Sequence, residues 1–253
     1  MAIGAIVSAA VGFCFPWSCA VCAAGYEGRG PLCPTCDAEL AALEGEPNCR
    51  ACALPLPMHG SPCPYCRGKG PPNFDRVVRL TAYHDPARVL IHHLKYHRRW
   101  GVAEELADRL LALERVKEVM HDTDVLVPVP LHWRRQLTRG YNQAEVIARR
   151  LGKRCEKPVL RPVRRTRNTE TQTHLFNPTR RAENLKDAFV LRNGRGVTGK
   201  HVTLVDDVWT SGATLQTLAR VLKQAKPASL SAIVVAVADP RGIERPEKPT
   251  ARE

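Results

Sequence analysis

Apolar positions follow two rhythms along this chain. Runs at about 76–83 (Val77, Val78, Leu80, Ala82), 124–130, 202–205 and 230–238 read as strands, the 202–205 run as one buried on both faces in a parallel sheet. Between them come helical stripes. Ala144, Ile147, Ala148 and Leu151 form one, and Leu215, Leu218, Ala219 and Leu222 another, spaced i, i+3, i+4, i+7. Val89, Leu90 and Leu94 form a third, on a helix expected to open with Asp85 as N-cap and Pro86 at its first position and to reach about His97. Another helix is expected over about 101–115. The prolines of Asp124-Val-Leu-Val-Pro-Val-Pro130 demand extended geometry and end that strand. Strands alternating with helices specify an α/β domain with a mostly parallel sheet flanked by helices.

Two stretches break the rhythm with polar residues. Leu131 to Gln143 reads as a basic loop carrying Arg134, Arg135, Arg139 and the Gly140 turn, placed at the carboxyl edge of the sheet, where open α/β folds bind ligands. Residues 164–184 are polar, basic and long for a connection within a compact domain. Charge sharpens this picture. The chain carries a net charge of +13, and residues 131–181 hold fourteen Lys/Arg against three Asp/Glu, so +11 lies in one fifth of its length. That concentration suits polyanionic partners, nucleic acid or a pyrophosphate-bearing ligand, as against a merely solvated basic face. Residues 2–15 are apolar and uncharged, but lack a basic n-region and a cleavage site, and fourteen residues are too few for a bilayer, which takes about 20. A short capping helix is expected there, no membrane insertion, and a cytoplasmic location.

Eight of the ten cysteines form four Cys-x-x-Cys pairs: Cys19/Cys22, Cys33/Cys36, Cys49/Cys52 and Cys63/Cys66. The arrangement repeats with period 30, and turn-formers such as Gly28, Pro31, Pro57 and Gly60 fill the intervals. So little apolar content cannot fold by burial alone. Two-residue spacing suits thiolates turned towards one tetrahedral ion, so two structural Zn²⁺ sites of four cysteines each are expected. Disulfides would need an oxidising compartment. Pairing within each repeat gives a tandem double zinc ribbon and is preferred to a cross-braced arrangement. Cys14 and Cys155 are left over as structural cysteines. Histidines 84, 92, 93 and 97 have no accompanying acidic ligand and are read as solvated or hydrogen-bonded. Three regions result: a zinc-ribbon module at 1–70, an α/β domain at 71–238 after a Pro71-Pro72-Asn73 linker, and a polar tail at 239–253.

The most informative chemistry lies at Val202–Thr214. The strand is expected to end in Asp206 and Asp207, followed by Thr210, Ser211, Gly212, Ala213 and Thr214 at the start of a helix. First-turn N–H groups have no intrahelical partners and the helix dipole favours an anion there, so this turn is a phosphate cradle. Two carboxylates beside it would repel an anion unless they met cis hydroxyls, a Mg²⁺ ion, or both. The stretch resembles the phosphoribosyl diphosphate (PRPP) signature of type I phosphoribosyltransferases. That resemblance implies that Asp206 and Asp207 face the ribose hydroxyls, and that residues 210–214 wrap the 5′-phosphate.

Further matches are Leu94-Lys95-Tyr96, Val127-Pro-Val-Pro-Leu-His132, Arg139-Gly-Tyr-Asn-Gln143, the Arg165/Thr169/Gln172 stretch, Arg180 with Asn184, and Ala188-Phe189. With the cysteine pairs they resemble the ComF family, which includes competence protein F and the DNA-utilisation protein GntX. The resemblance implies a type I phosphoribosyltransferase fold behind a double zinc ribbon, with Mg²⁺ accompanying PRPP. Arg139, Arg165, Arg167 and Gln172 would take up pyrophosphate charge, and 164–184 would close as a lid. It also implies a part in DNA uptake or in using DNA as a nutrient, beside a helicase or recombination mediator. Ser211 replaces a common Thr and keeps the hydroxyl. No residue stands out as a general base, and the tail leaves little material for a base-selecting hood. Three readings follow: a PRPP-binding protein of DNA uptake, a non-catalytic single-stranded-DNA-binding adaptor, and a nucleobase salvage transferase.

Overall fold

A computed structural model describes residues 17–28, 30–96, 100–167 and 187–239. The expectations for residues 2–15, Cys14, His97, Gln172, most of the 164–184 segment and the tail beyond 239 lie outside them. The described chain opens with two short antiparallel strands, β1 (Trp17–Ser18) and β2 (Gly25–Tyr26), and a helix, α1 (Pro34–Glu44). Then follow β3 (Arg76–Ala82), α2 (Ala87–Tyr96), α3 (Trp100–Ala112), α4 (Glu114–Asp122) and β4 (Val125–Pro128). After these come α5 (Trp133–Arg139), α6 (Gln143–Arg154), β5 (Val163–Arg165), β6 (Phe189–Leu191), β7 (His201–Trp209), α7 (Ala213–Lys223) and β8 (Ser229–Val237).

The apolar runs form one parallel sheet in the order β3-β8-β7-β4. Its alternation sends side chains to two cores. Val78, Leu80, Val205, Ile233 and Val235 meet α2, α3, α4 and α6 on one face. Val77, Leu204, Ala232 and Val234 meet α7 and the β5–β6 pair on the other. Cys19, Cys33, Cys36 and Leu40 of α1 join the first core, while Cys49, Cys52 and Cys63 join the second. The two halves of the cysteine segment therefore straddle the sheet. They do so at its β3 edge, where Val77 N–H donates to Ala51 O at 3.0 Å. The β4 edge is covered by residues 158–160, through Leu126 N–H to Pro158 O and Leu160 N–H to Leu126 O, each 2.9 Å.

Four expectations need correction. The helix expected over 101–115 breaks at Leu113, which is extended (φ −77°, ψ 127°), and α4 follows, burying Val116, Val119 and Met120. That i, i+3, i+4 stripe was present in the sequence. Asp85 is not an N-cap: α2 begins at Ala87 after a cis Asp85–Pro86 bond, and the Asp85 carboxylate takes the Arg88 guanidinium through two bonds of 2.8 and 3.0 Å. The basic 131–143 segment contains the helix α5, capped at its start by the His132 ring and stopped by Gly140 in the left-handed region (φ 80°). Finally, β7 runs past the two acids to Trp209, because Val208 and Trp209 continue the ladder with β8.

Candidate functional site

Asp206 and Asp207 lie near the carboxyl end of β7, pointing to opposite sides as neighbouring strand residues must. Asp207 is buried, with 8% of its surface exposed, and its Oδ2 lies 3.2 Å from Lys95 Nζ at the end of α2. Burial opposes charge on Lys95, but Asp207 and Asp206 outweigh it and raise the ammonium pKa. Among the described residues Asp206 has no such direct cation. Burial and the Asp207 charge push its carboxyl up to about 7, against the pull of the Asp207 N–H on its Oδ1 (2.9 Å), Lys95 and Arg165.

This makes a prediction about stability. A carboxyl raised in the folded state keeps its proton while the unfolded chain loses it, so stability falls as pH rises from the ordinary carboxylate range to about 7, and the penalty persists above. Asp206→Asn keeps an oxygen for the Asp207 N–H and removes the charge. It is expected to raise Tm by ~3 °C or more above neutrality, with the gain vanishing in acid, as measured by thermal melts across pH. A gain independent of pH would contradict it.

The turn after β7 is built around Gly212. It sits in the left-handed region (φ 73°) as the N-cap of α7, and a Cβ there would lie 2.4 Å from the Trp209 ring. Trp209 is buried against Phe74 edge-on, with centroids 5.6 Å apart, so it serves packing and is closed to a stacking base. Thr210 and Ser211 are exposed, and Ala213 and Thr214 half-buried, at the first turn of α7.

Residues named in the sequence only as family matches, without a role, position this site. Tyr141 O–H and Gln143 Nε2 donate to the same Leu94 carbonyl, at 2.5 and 3.1 Å. They tie the end of α2, and with it Lys95, to the α5–α6 junction. Asn142 caps α6 through the Ala144 N–H (3.2 Å) and holds Val129 O at 2.9 Å. Lys95 was legible as a polar position outside the Val89–Leu94 stripe and as part of the Leu94-Lys95-Tyr96 match, but without a partner; its neighbourhood to Asp207 arises from tertiary packing. Of the arginines, Arg165 is buried over the Phe189 ring at 5.5 Å. Burial and Arg135 lower its pKa to about 10, opposed by Asp206. Arg139 lies over the Tyr96 ring at 5.4 Å, and Arg167 is exposed.

Known proteins share this arrangement of sequence. The profile of the family described as "Phosphoribosyl transferase domain" matches residues 105–252. "DNA utilization protein YhgH" of Escherichia coli (strain K12) is 36% identical over 201 residues, 77% of this chain and 85% of that protein. "Competence protein F" of Haemophilus influenzae is 31% identical over 201 residues, 78% of this chain and 86% of its own length. The chain belongs to the ComF family. A more distant relative, "Competence protein ComFC" of Bacillus subtilis, is 33% identical over 112 residues, 44% of this chain and 43% of that one.

The ComF chain also gathers its cysteines as the repeat predicts, within each half and not across them. Cys19, Cys22, Cys33 and Cys36 form one quartet and Cys49, Cys52, Cys63 and Cys66 the other, each with its sulfurs within 4.8 Å of one another. All nine described cysteines are free thiols. The spacings Cys22–Cys33, Cys49–Cys66 and Cys52–Cys63 are 3.8, 3.5 and 3.6 Å. A tetrahedron with metal–sulfur bonds of ~2.3 Å has an edge of about 3.8 Å, so either quartet could close on one ion with little movement. Among the described residues no other cluster of this kind occurs, and no described helix is long and apolar enough to cross a membrane.

Proposed function

We propose that this ComF-family chain binds Mg²⁺–PRPP, or a related phosphoribosyl ligand, and acts in DNA uptake or in the use of DNA as a nutrient. The observation that carries the ligand reading is the uneven carboxylate pair. Asp207 has Lys95, while Asp206 is left with a carboxyl raised to about 7 beside a helix N-terminus built by Gly212. Ribose hydroxyls or a divalent cation meeting Asp206 and Asp207 would relieve that charge, and the 5′-phosphate would take the free N–H groups of residues 210–214. Mg²⁺ would neutralise the pyrophosphate. Arg139, Arg165, Arg167 and Gln172 would share that charge, and departure of pyrophosphate from C1 would rely on positioning and electrostatics. The thiolate quartets suit Zn²⁺, which prefers four sulfur ligands in closed structural sites. The DNA role rests on the names of the relatives.

Calorimetry with Mg²⁺–PRPP is expected to give saturable binding to the wild type, and binding at least about tenfold weaker to Asp206→Asn/Asp207→Asn, the loss of two charge-assisted contacts. A wild type that takes up no heat of binding would sink the ligand reading.

A second reading, single-stranded DNA contact, is favoured by an exposed ledge on α5. Trp133 and Leu137, one turn apart on α5, are 50% and 71% exposed, and Arg134 lies 5.3 Å over the Trp133 ring. Tyr96, 54% exposed under Arg139, repeats the pattern across the junction. Aromatic faces for bases interleaved with arginines for phosphates suit a single strand. Affinity for an oligonucleotide is expected to fall steeply with salt and by about tenfold in Trp133→Ala. A flat salt dependence would count against the ledge.

A further inference from the structure

Arg79 is the least explained charge in the described molecule. It lies mid-strand in β3, 5% exposed, and its Nη1 and Nη2 have no hydrogen-bond partner. A guanidinium does not give up its proton in a protein, so a buried one needs a counter-charge. Strand alternation puts Arg79 on the face of Val77, where Cys49, Cys52 and Cys63 pack. Burial pulls its pKa down to about 10, and the negative groups opposing this are Glu46, Cys52 and Asp239.

A second guanidinium converges on the same place. Arg115 of α4 binds Asn48 Oδ1, Arg50 O at 2.6 Å and Cys49 O at 3.5 Å. The first quartet is furnished differently. Arg109, the arginine tied to α1, is engaged by Asp37, Glu44 and Glu105, and Cys22 is exposed. Four thiolates around one divalent cation carry a double negative charge overall, whereas four thiols carry none. A metal-loaded second quartet would add an anionic group on the face of β3 that Arg79 occupies, beside the charges of Glu46 and Asp239.

We propose that Arg79, with Arg115, is the buried counter-charge of a metal ion in the Cys49–Cys66 quartet, making it the tighter of the two metal sites. This rests on both quartets being metal sites. Arg79 acts as a charge-balancing residue, on the face of β3 against which Cys49, Cys52 and Cys63 pack, as outer-shell groups do at other metal centres. The first quartet, with one exposed ligand and no such cation among the described residues, releases its ion first.

The test uses full-length protein carrying ¹¹³Cd in place of Zn²⁺, which gives each four-sulfur site its own NMR resonance. Cys22→Ser identifies the first site by the signal it moves. In the wild type, EDTA is expected to remove the first-site signal before the second. In Arg79→Gln the second-site signal should disappear about tenfold faster, the first should be unchanged, and Arg79→Lys should fall between. Far-UV circular dichroism before chelation checks that each variant is folded. Two signals lost at wild-type rates in Arg79→Gln, or both accelerated equally, would overturn the proposal. So would Glu46→Gln loosening the second site as much as Arg79→Gln, because that would make Glu46 the partner. A wild type that binds no metal at four-sulfur sites would instead overturn the zinc reading itself.

Discussion

Cys36→Ser and Cys52→Ser are each expected to lose one zinc ion per chain and to lower Tm by more than ~10 °C. Structural zinc contributes on the order of 10 kcal/mol to a folded four-cysteine site, and an incomplete set retains only part of this. The two cysteines are buried in different cores, so the damage should fall on opposite faces. Cys36 lies on α1, whose Leu40 is fully buried in the core that also holds the α2 and α3 side chains. Cys52 closes the knuckle whose Ala51 carbonyl holds β3. Elemental analysis together with hydrogen exchange would separate the outcomes. Protection should fall first around α1 and α3 in Cys36→Ser, and first along β3 in Cys52→Ser. A metal-replete wild type with fewer than about two zinc ions per chain would contradict the two-site reading.

Gly212→Ala is expected to destabilise the chain and weaken phosphoribosyl binding together. The left-handed conformation costs an alanine ~1–2 kcal/mol. The added methyl would also meet the Trp209 ring at 2.4 Å, and the indole cannot retreat because Phe74 packs against it. Overpacking of this kind costs ~1–3 kcal/mol, so Tm should fall by ~5 °C or more. The indole and the methyl can be separated by a double-mutant cycle. In a Trp209→Leu background the clash is gone and only the conformational cost remains, so Gly212→Ala should cost less there. Equal costs in both backgrounds would show that the indole does not constrain the turn.

What the sequence disclosed follows from the range of each interaction. The cysteine grouping was legible because a 30-residue period leaves each quartet closed within its own repeat. The four sheet strands were legible because burial on both faces produces apolar runs that no surface segment sustains. The Gly212 turn was legible because glycine after two hydroxyl residues has few other uses at a helix start. Lys95, Tyr141 and Gln143 stood out only as members of family motifs, and their roles were not legible, since their partners Asp207 and Leu94 are more than forty residues away. The α4 helix was missed although its Val116, Val119 and Met120 stripe was visible, because no Gly or Pro announced the break at Leu113. Turn-rich composition also made the cysteine segment look self-contained. Leu32, Leu40 and Leu54 instead carry it into the cores on both sides of the sheet.

That straddling position bears on how the chain can be cut or recombined. Without residues 17–70, the Val77 N–H would lose its Ala51 partner and the β3 edge would be flanked above and below by stripped apolar surface, the combination that lets sheets add to one another without limit. Arg79, 5% exposed in the intact chain, would lose the cysteine residues that pack on its face of β3. The cysteine segment is therefore the end-stop of the sheet, and a shortened chain beginning at Pro71 would be a monomer with a polymer's edge.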